Sequence, residues 1–354
     1  MRCQPKLMLA FCVTLAVVPA AGNAAESDAA LLKQAQELFA KLPADFSDAA
    51  HPITPERVAL GKALFFDPRW SIDGHISCAT CHNPALYGVD GLSRSMGVLG
   101  RVHPRNAPTV LNSAGDAVVH WRADRKDIED QAILAAIGAV SSGHSDHAGW
   151  IAKVKAIDGY AAMFQRAFPK EQDPITSANL GLAIGAYERT LVSRASFDSY
   201  LDGNVAALTP EAQAGLNTFI EIGCTGCHNG AGVGGAMLQK FGLQQDYWTA
   251  TGSKTVDKGR FDITGDQNDL YVFKVPSLRN VAMTAPYFHD GSVASLPDAV
   301  RVMAKVQLGR TLADKDVRDI VAFLNALTGE LPKDFALAPV VPPNASAAQA
   351  LPKP

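Results

Sequence analysis

Residues 76–82 read ISCATCH and residues 223–228 read GCTGCH. Each stretch holds two cysteines and a histidine in the order C-x-x-C-H, the attachment pattern of a c-type haem. In that chemistry each thiol adds to a haem vinyl group, and the adjacent histidine reaches the iron from one face. The spacing nominates Cys78, Cys81, Cys224 and Cys227 as attachment residues for two covalently bound haem c groups, with His82 and His228 as the iron ligands. A zinc site would need the two C-x-x-C pairs brought together, or other ligands at zinc spacing. Two separated copies, each followed at once by histidine, read as two haem sites.

The text upstream of the two motifs is also repeated. TPERVALGKALFFDPRWSIDGHISCATCH (54–82) parallels TPEAQAGLNTFIEIGCTGCH (209–228). Thr54 and Thr209 suit a helix N-cap, Pro55 and Pro210 the first helical position, and Glu56 and Glu211 the positive end of the helix dipole. A duplicated unit implies a mainly α protein built of two cytochrome c-like haem domains. Further helices are expected at 28–41, 127–139, 149–168, 176–194, 296–305 and 314–327, the last with apolar residues at helical spacing. Short strands are expected at 117–121 and 270–275.

The ends of the chain read differently. Arg2 and Lys6 precede an apolar run from Leu7 to Val18, and AGNAAES supplies small residues for cleavage after Ala24. That run is too short to span a bilayer easily. The expected organisation is a signal peptide at 1–24, haem domains at 25–203 and 204–335, and a Pro/Ala-rich disordered tail at 336–354. The expected compartment is the periplasm, with no membrane span after signal cleavage. Cleavage removes Cys3 and Cys12, so the four remaining cysteines all lie in haem motifs and none is left for a disulfide. A net charge of −3 gives no reason to expect nucleic acid or an anionic membrane as partner.

Seven stretches give the chain a specific resemblance: LGKALFFDPRWS, ISCATCHNP, GVDGLSRSMG, RNAPTVLN, GCTGCHNG, VQLGR and the long block KGRFDITGDQNDLYVFKVPSLRNVAMTAPYFHDGSVASLPDAV. Over about residues 50–330 the chain resembles the bacterial di-haem cytochrome c peroxidases and their MauG-type relatives. The resemblance implies that Met303 closes the second haem, although helical spacing alone would make it a core methionine. A MauG-like enzyme would carry tyrosine there, and Met283 is the nearest competitor. Trp121 matches an inter-haem tryptophan, a relay for electrons. Asn106, Thr284 and Pro286 match residues around a calcium ion between the domains. Arg279 is expected to pair with a haem propionate, as arginine suits carboxylates, and His289 falls in a motif near the second haem.

The implied function is a periplasmic di-haem peroxidase. It would reduce hydrogen peroxide to water with electrons from a small cytochrome c or cupredoxin, and it could act as a homodimer. Alternatives are a MauG-like oxidase that modifies another protein or small molecule, and a non-catalytic electron carrier. Two departures bear on this choice. The resemblance places a capping histidine sixteen residues after His82, where this chain has Val98; His103 and Met96 lie near. An open first iron is the preferred reading, with His103 the next. The resemblance also places a distal glutamate ten residues after Gln131, which matches the family glutamine; that position is Ser141. His144, Asp146 and His147 follow closely. His144 is the candidate acid–base group, though 141–148 also reads as a polar surface loop.

Overall fold

The computed structural model describes residues 21–343. Most of the expected signal peptide, and residues 344–354 of the expected tail, lie outside the described residues. Thirteen helices follow one another: α1 (Ala21–Leu38), α2 (Pro55–Phe66), α3 (Cys78–Cys81), α4 (Ile128–Ala135), α5 (His147–Lys155), α6 (Asp158–Ala167), α7 (Ser177–Glu188), α8 (Ser196–Leu201), α9 (Pro210–Glu221), α10 (Tyr247–Thr251), α11 (Phe261–Thr264), α12 (Leu296–Leu308) and α13 (Asp314–Asn325). Strands β1 (Leu238–Lys240) and β2 (Val272–Lys274) pair antiparallel, Gln239 opposite Phe273. No helix among the described residues is long and apolar enough to cross a membrane.

The repeated helices start as their sequences require. The Thr54 hydroxyl accepts from the Arg57 N–H at 3.3 Å and the Thr209 hydroxyl from the Ala212 N–H at 3.2 Å, with proline opening each helix. Each then lies backbone to backbone on a later helix. A Cβ on Gly61 of α2 would sit 1.8 Å from the Ala183 carbonyl oxygen of α7. A Cβ on Gly215 of α9 would sit 1.8 Å from the Asp319 carbonyl oxygen of α13. The same helix-on-helix contact, made through a glycine, thus recurs in both units.

Each contact is the centre of a core. The first gathers Leu60, Leu64, Trp150, Tyr160, Phe164 and Leu180; the second gathers Leu216, Phe219, Phe323, Phe197 and Tyr200. Full burial of such side chains stabilises by roughly 1.5–3 kcal/mol each. The cores do not follow contiguous halves of the chain. Ala35 and Phe39 belong to the second core, where the Phe39 and Phe197 rings meet edge to face at 5.3 Å, whereas Phe335 closes the first. Each end of the described residues therefore binds the unit it is not contiguous with.

Three expectations change. The helix expected over 149–168 is two helices, parted at Ala156–Ile157 where Ile157 turns extended before Asp158 starts α6. The strand expected at 117–121 is a single bridge between Val119 and Arg125, because His120 and Ala123 take positive φ (71° and 54°) and break the extended run. The start of the expected tail, 336–343, lies along the first unit: Arg69 donates to the Pro342 carbonyl at 2.7 Å, and Pro342 covers Gly159.

Candidate haem sites

Two residues past the end of α9, Gly223, with a φ of 98°, turns the chain into a single 3-10 turn that begins at Cys224 and is closed by Cys227. The His228 N–H donates to the Cys224 carbonyl at 2.9 Å, and its Nδ1 is 3.3 Å from the Val233 carbonyl. That bond uses Nδ1 and leaves Nε2 to face the cavity, as a histidine ligand requires. Burial pushes the His228 imidazole down to about 4, so at neutral pH it is uncharged and its lone pair is available. The first site repeats the arrangement. The His82 N–H donates to the Cys78 carbonyl at 2.9 Å, its Nδ1 lies 3.2 Å from the Gly88 carbonyl, and burial again lowers its pKa.

The four cysteines among the described residues are free and half-buried. Burial pushes the Cys81 thiol up to about 11 and the Cys224 thiol to about 12, so they are not standing thiolates. Among the described residues the cysteines do not gather into a cluster of potential metal ligands; the group that does is His51, Asp127 and Glu129. This donor chemistry, paired thiols beside a neutral oriented imidazole, fits haem and does not fit a four-sulfur zinc site.

A largely apolar cavity opens on the second motif. Cys224, Cys227 and His228 line it together with Met303 from α12, which Ser295 caps by accepting from the Asp298 N–H at 3.2 Å. Met283 does not line it and is 47% exposed. The same wall holds Trp121, His289, Asn106, Thr284 and Pro286, the last in a cis peptide with Ala285. Trp121 donates from Nε1 to the Asn106 carbonyl at 2.8 Å, and its own carbonyl accepts from the Lys274 N–H at 2.9 Å. The indole is thereby tied to a loop of the first unit, and the Trp121 backbone to a strand of the second. Asn106 donates from its side-chain amide to the Leu92 carbonyl at 2.8 Å and from its backbone to the His289 carbonyl at 2.7 Å.

Two nominated residues have other partners. Arg279, expected to meet a propionate, is fully buried in a bidentate ion pair with Asp198 (2.7 and 3.1 Å) and donates also to the Ala231 carbonyl. His144, expected as acid–base group, is buried with its Nε2 2.7 Å from the Trp70 carbonyl, a bond that ties the ring to the first core. Gln131 is different. It projects from α4, and its Oε1 is buried with no hydrogen-bond partner, a group left for something to donate to.

The two departures from the family pattern meet in space. The Val98 N–H donates to the Val140 carbonyl at 2.9 Å, one residue before Ser141, and a Cβ on Gly97 would sit 1.9 Å from that same oxygen. The loop is held further by Leu99 N–H to Asp73 (2.8 Å) and by the Arg101 guanidinium to the Ala139 carbonyl (2.7 Å). Val98 is fully buried, while Met96 at the same loop is 58% exposed. His103 is half-buried, and burial is the main cause of its lowered pKa.

Sequence reading missed two groups, the Lys274–Asp116 pair and Glu188, and located a third, His289, by its motif alone. Lys274 and Asp116 form a buried ion pair in the cavity wall. His289 is enclosed by Phe273, Tyr247, Phe241 and Trp121, with Nε2 buried and 3.9 Å from Asp257. Glu188 is a buried acid beside the Glu129–Arg189 pair, near Cys78. The pair and Glu188 carry no local signal, since lysine in a strand or glutamate in a helix is ordinarily solvated.

Comparison with known proteins agrees with this geometry. A family model described as di-haem cytochrome c peroxidase matches residues 55–206. The chain is 42% identical over 318 residues to the cytochrome c551 peroxidase of Pseudomonas aeruginosa, covering 89% of this chain and 91% of that one. It is 34% identical to the methylamine utilization protein MauG of Methylorubrum extorquens, covering 88% of each. Among solved structures, a MauG-like protein associated with microbial copper homeostasis superposes with a TM-score of 0.72 at 30% identity, covering 84% of this chain and 95% of that one.

Proposed function

Because the chain belongs to the di-haem cytochrome c peroxidase family and is an enzyme of that class, we propose that it is periplasmic and reduces hydrogen peroxide at the His82 site with electrons taken up at the His228/Met303 site. The electrons come from a small cytochrome c or cupredoxin. Haem, when bound, supplies an iron at each site that exchanges single electrons and, where a coordination position is free, accepts the substrate.

The observation that carries this reading is the asymmetry of the two sites. At the second, Met303 shares a cavity with His228. At the first, the position of the family's capping histidine is a valine sunk into the core and hydrogen-bonded to Val140. Cys78 and Cys81 anchor one haem, Cys224 and Cys227 the other, each covalently. Trp121, bonded to Asn106 and to Lys274 of the second unit, is read as the relay for electrons. Each turnover takes two electrons and two protons per peroxide and yields two waters. Gln131, whose buried amide oxygen is unpartnered, is read as the group that orients a donor on the open side. With Ser141 at the glutamate position and His144 tied to Trp70, the protons come from water. Asn106, Thr284 and Pro286, brought into one wall, are read as the surroundings of a calcium ion that fixes the two units against each other.

A MauG-like oxidase is the second reading. It is favoured by Val98, which removes the need for a reductive opening step, and by the structural likeness to a MauG-like protein. Met303 in place of tyrosine speaks for the peroxidase. Electron paramagnetic resonance of the oxidised protein, followed by peroxide turnover with reduced cytochrome c, separates them. A high-spin signal with steady turnover supports the peroxidase. A high-spin signal without turnover supports the oxidase, and two low-spin haems inert to peroxide leave only an electron carrier.

A further inference from the structure

The cavity at the second motif is lined by two basic side chains, Lys274 and Arg279, and one carboxylate, Asp116. Arg279 is committed to Asp198 and to backbone carbonyls. Lys274 has donors to spare, because an ammonium carries three N–H groups and Asp116 is its hydrogen-bond partner. The lysine belongs to β2 of the second unit, and its backbone N–H holds the Trp121 carbonyl. Asp116 comes from the first unit, at the end of a short turn (Ser113–Gly115). It reaches across only because Gly235 has no side chain: a Cβ there would sit 2.1 Å from the Asp116 Oδ1, and Gly235 takes a φ of 83°. The Ala117 N–H to Gly235 carbonyl bond, 3.0 Å, fixes the approach. Both side chains are more than nine-tenths buried.

A buried ion pair between two units, in the wall of a cofactor cavity, is costly unless both charges are used. We propose that this pair controls the electron affinity of the second site: Lys274 meets the carboxylate edge of the haem held by Cys224, Cys227 and His228, and Asp116 sets how much of that positive charge the haem feels. The inference rests on the reading of the second motif as a haem site. A positive charge in a low-dielectric wall favours the reduced haem, which carries one positive charge less, and a negative charge favours the oxidised one. Lys274 and Asp116 therefore push in opposite directions. Because they come from different units, the relative placement of the units is written into the potential of the electron-accepting haem.

The test is potentiometric titration of the holoprotein, following the second haem by its own spectrum after counting haems by pyridine haemochrome. At the wild-type midpoint, Asp116→Asn is expected to raise the reduced-to-oxidised ratio about tenfold, about 59 mV for a one-electron couple. Lys274→Gln is expected to lower it, and the double variant to return near wild type. If a neutral variant is recovered without its second haem, Lys274→Arg decides, since it keeps the charge and is expected to keep the wild-type ratio. Two haems in the wild type with ratios unmoved in both single variants, or shifts confined to the first haem, would overturn the role of the pair. A wild-type chain binding one haem would instead overturn the reading beneath it.

Discussion

Gly215→Ala should damage the second haem unit and spare the first. The added Cβ would meet the Asp319 carbonyl oxygen at 1.8 Å and its carbon at 2.4 Å, where real Cβ atoms keep at least 3.0 Å. α9 and α13 must therefore part by more than 1 Å, and the obstacle is backbone, which cannot rotate aside. Overpacking of this kind costs about 3 kcal/mol, at the top of the usual range. Replacing a helical glycine by alanine returns about 1 kcal/mol. The net loss is about 2 kcal/mol, a fall in Tm of about 4–8 °C for a unit of this size. α9 runs directly into Cys224, and α13 packs against α12, which carries Met303. The displacement should thus appear as a weakened signature of methionine–sulfur ligation while the first haem's spectrum stays as it was. Gly61→Ala, whose Cβ would lie 1.8 Å from the Ala183 oxygen, is the mirror experiment and should spare the second site. Calorimetry with absorption spectroscopy on both variants checks this. A Gly215→Ala protein as stable as the wild type, or one whose first haem is the one disturbed, would refute the backbone contact as the organising feature of the units.

Three other outcomes are expected. Val98→His should convert the high-spin signal of the oxidised first haem to low spin and lower Tm, because Val98 leaves the core at a cost of about 2 kcal/mol; a persistent high-spin signal in paramagnetic resonance would mean that the loop bonded to Val140 cannot deliver residue 98. Gln131→Leu should lower kcat/KM for peroxide roughly a hundredfold with haem spectra unchanged, since the partnerless Oε1 is the group removed; steady-state kinetics decide, and an unaltered rate excludes Gln131 from the site. Glu188 is pushed up to about 8 by burial and then by the charge of Glu129, against the pull of Arg189. The folded state therefore holds this proton when an unfolded glutamate, near 4.3, has lost it. Stability from this group is full below about pH 4 and falls as pH rises toward 8. Glu188→Gln should flatten that decline, and parallel Tm-against-pH curves for the two proteins would show the group to be otherwise satisfied.

Much of the protein is local in origin and could be read from the sequence. The haem attachment cysteines, the histidine beside each pair, the Thr-Pro-Glu helix starts and the duplication are all set by residues a few positions apart. Helical spacing likewise announced α7, α9 and α13. Where the chain turns back on itself, local text was misleading. Nothing in residues 149–168 shows that Ile157 turns extended where the chain's own tail crosses beside it, and nothing in 117–121 shows the positive φ of His120 or that of Ala123 just beyond.

The site was legible to the same depth. Its attachment chemistry was readable, but the partners of its charged and polar groups were not. Arginine at 279 and lysine at 274 are equal candidates in sequence; Asp198 claims the first, and the second is left facing the cavity because Asp116 arrives from another unit through a gap at Gly235. His144 read as a candidate acid–base group until the Trp70 carbonyl, 74 residues away, took its Nε2. Val98 and Ser141 were two separate oddities until one hydrogen bond joined their loops. Covalent attachment depends on spacing along the chain. Which side chain stays free to act depends on which distant segment supplies the competing donor or acceptor, and folding alone makes that assignment.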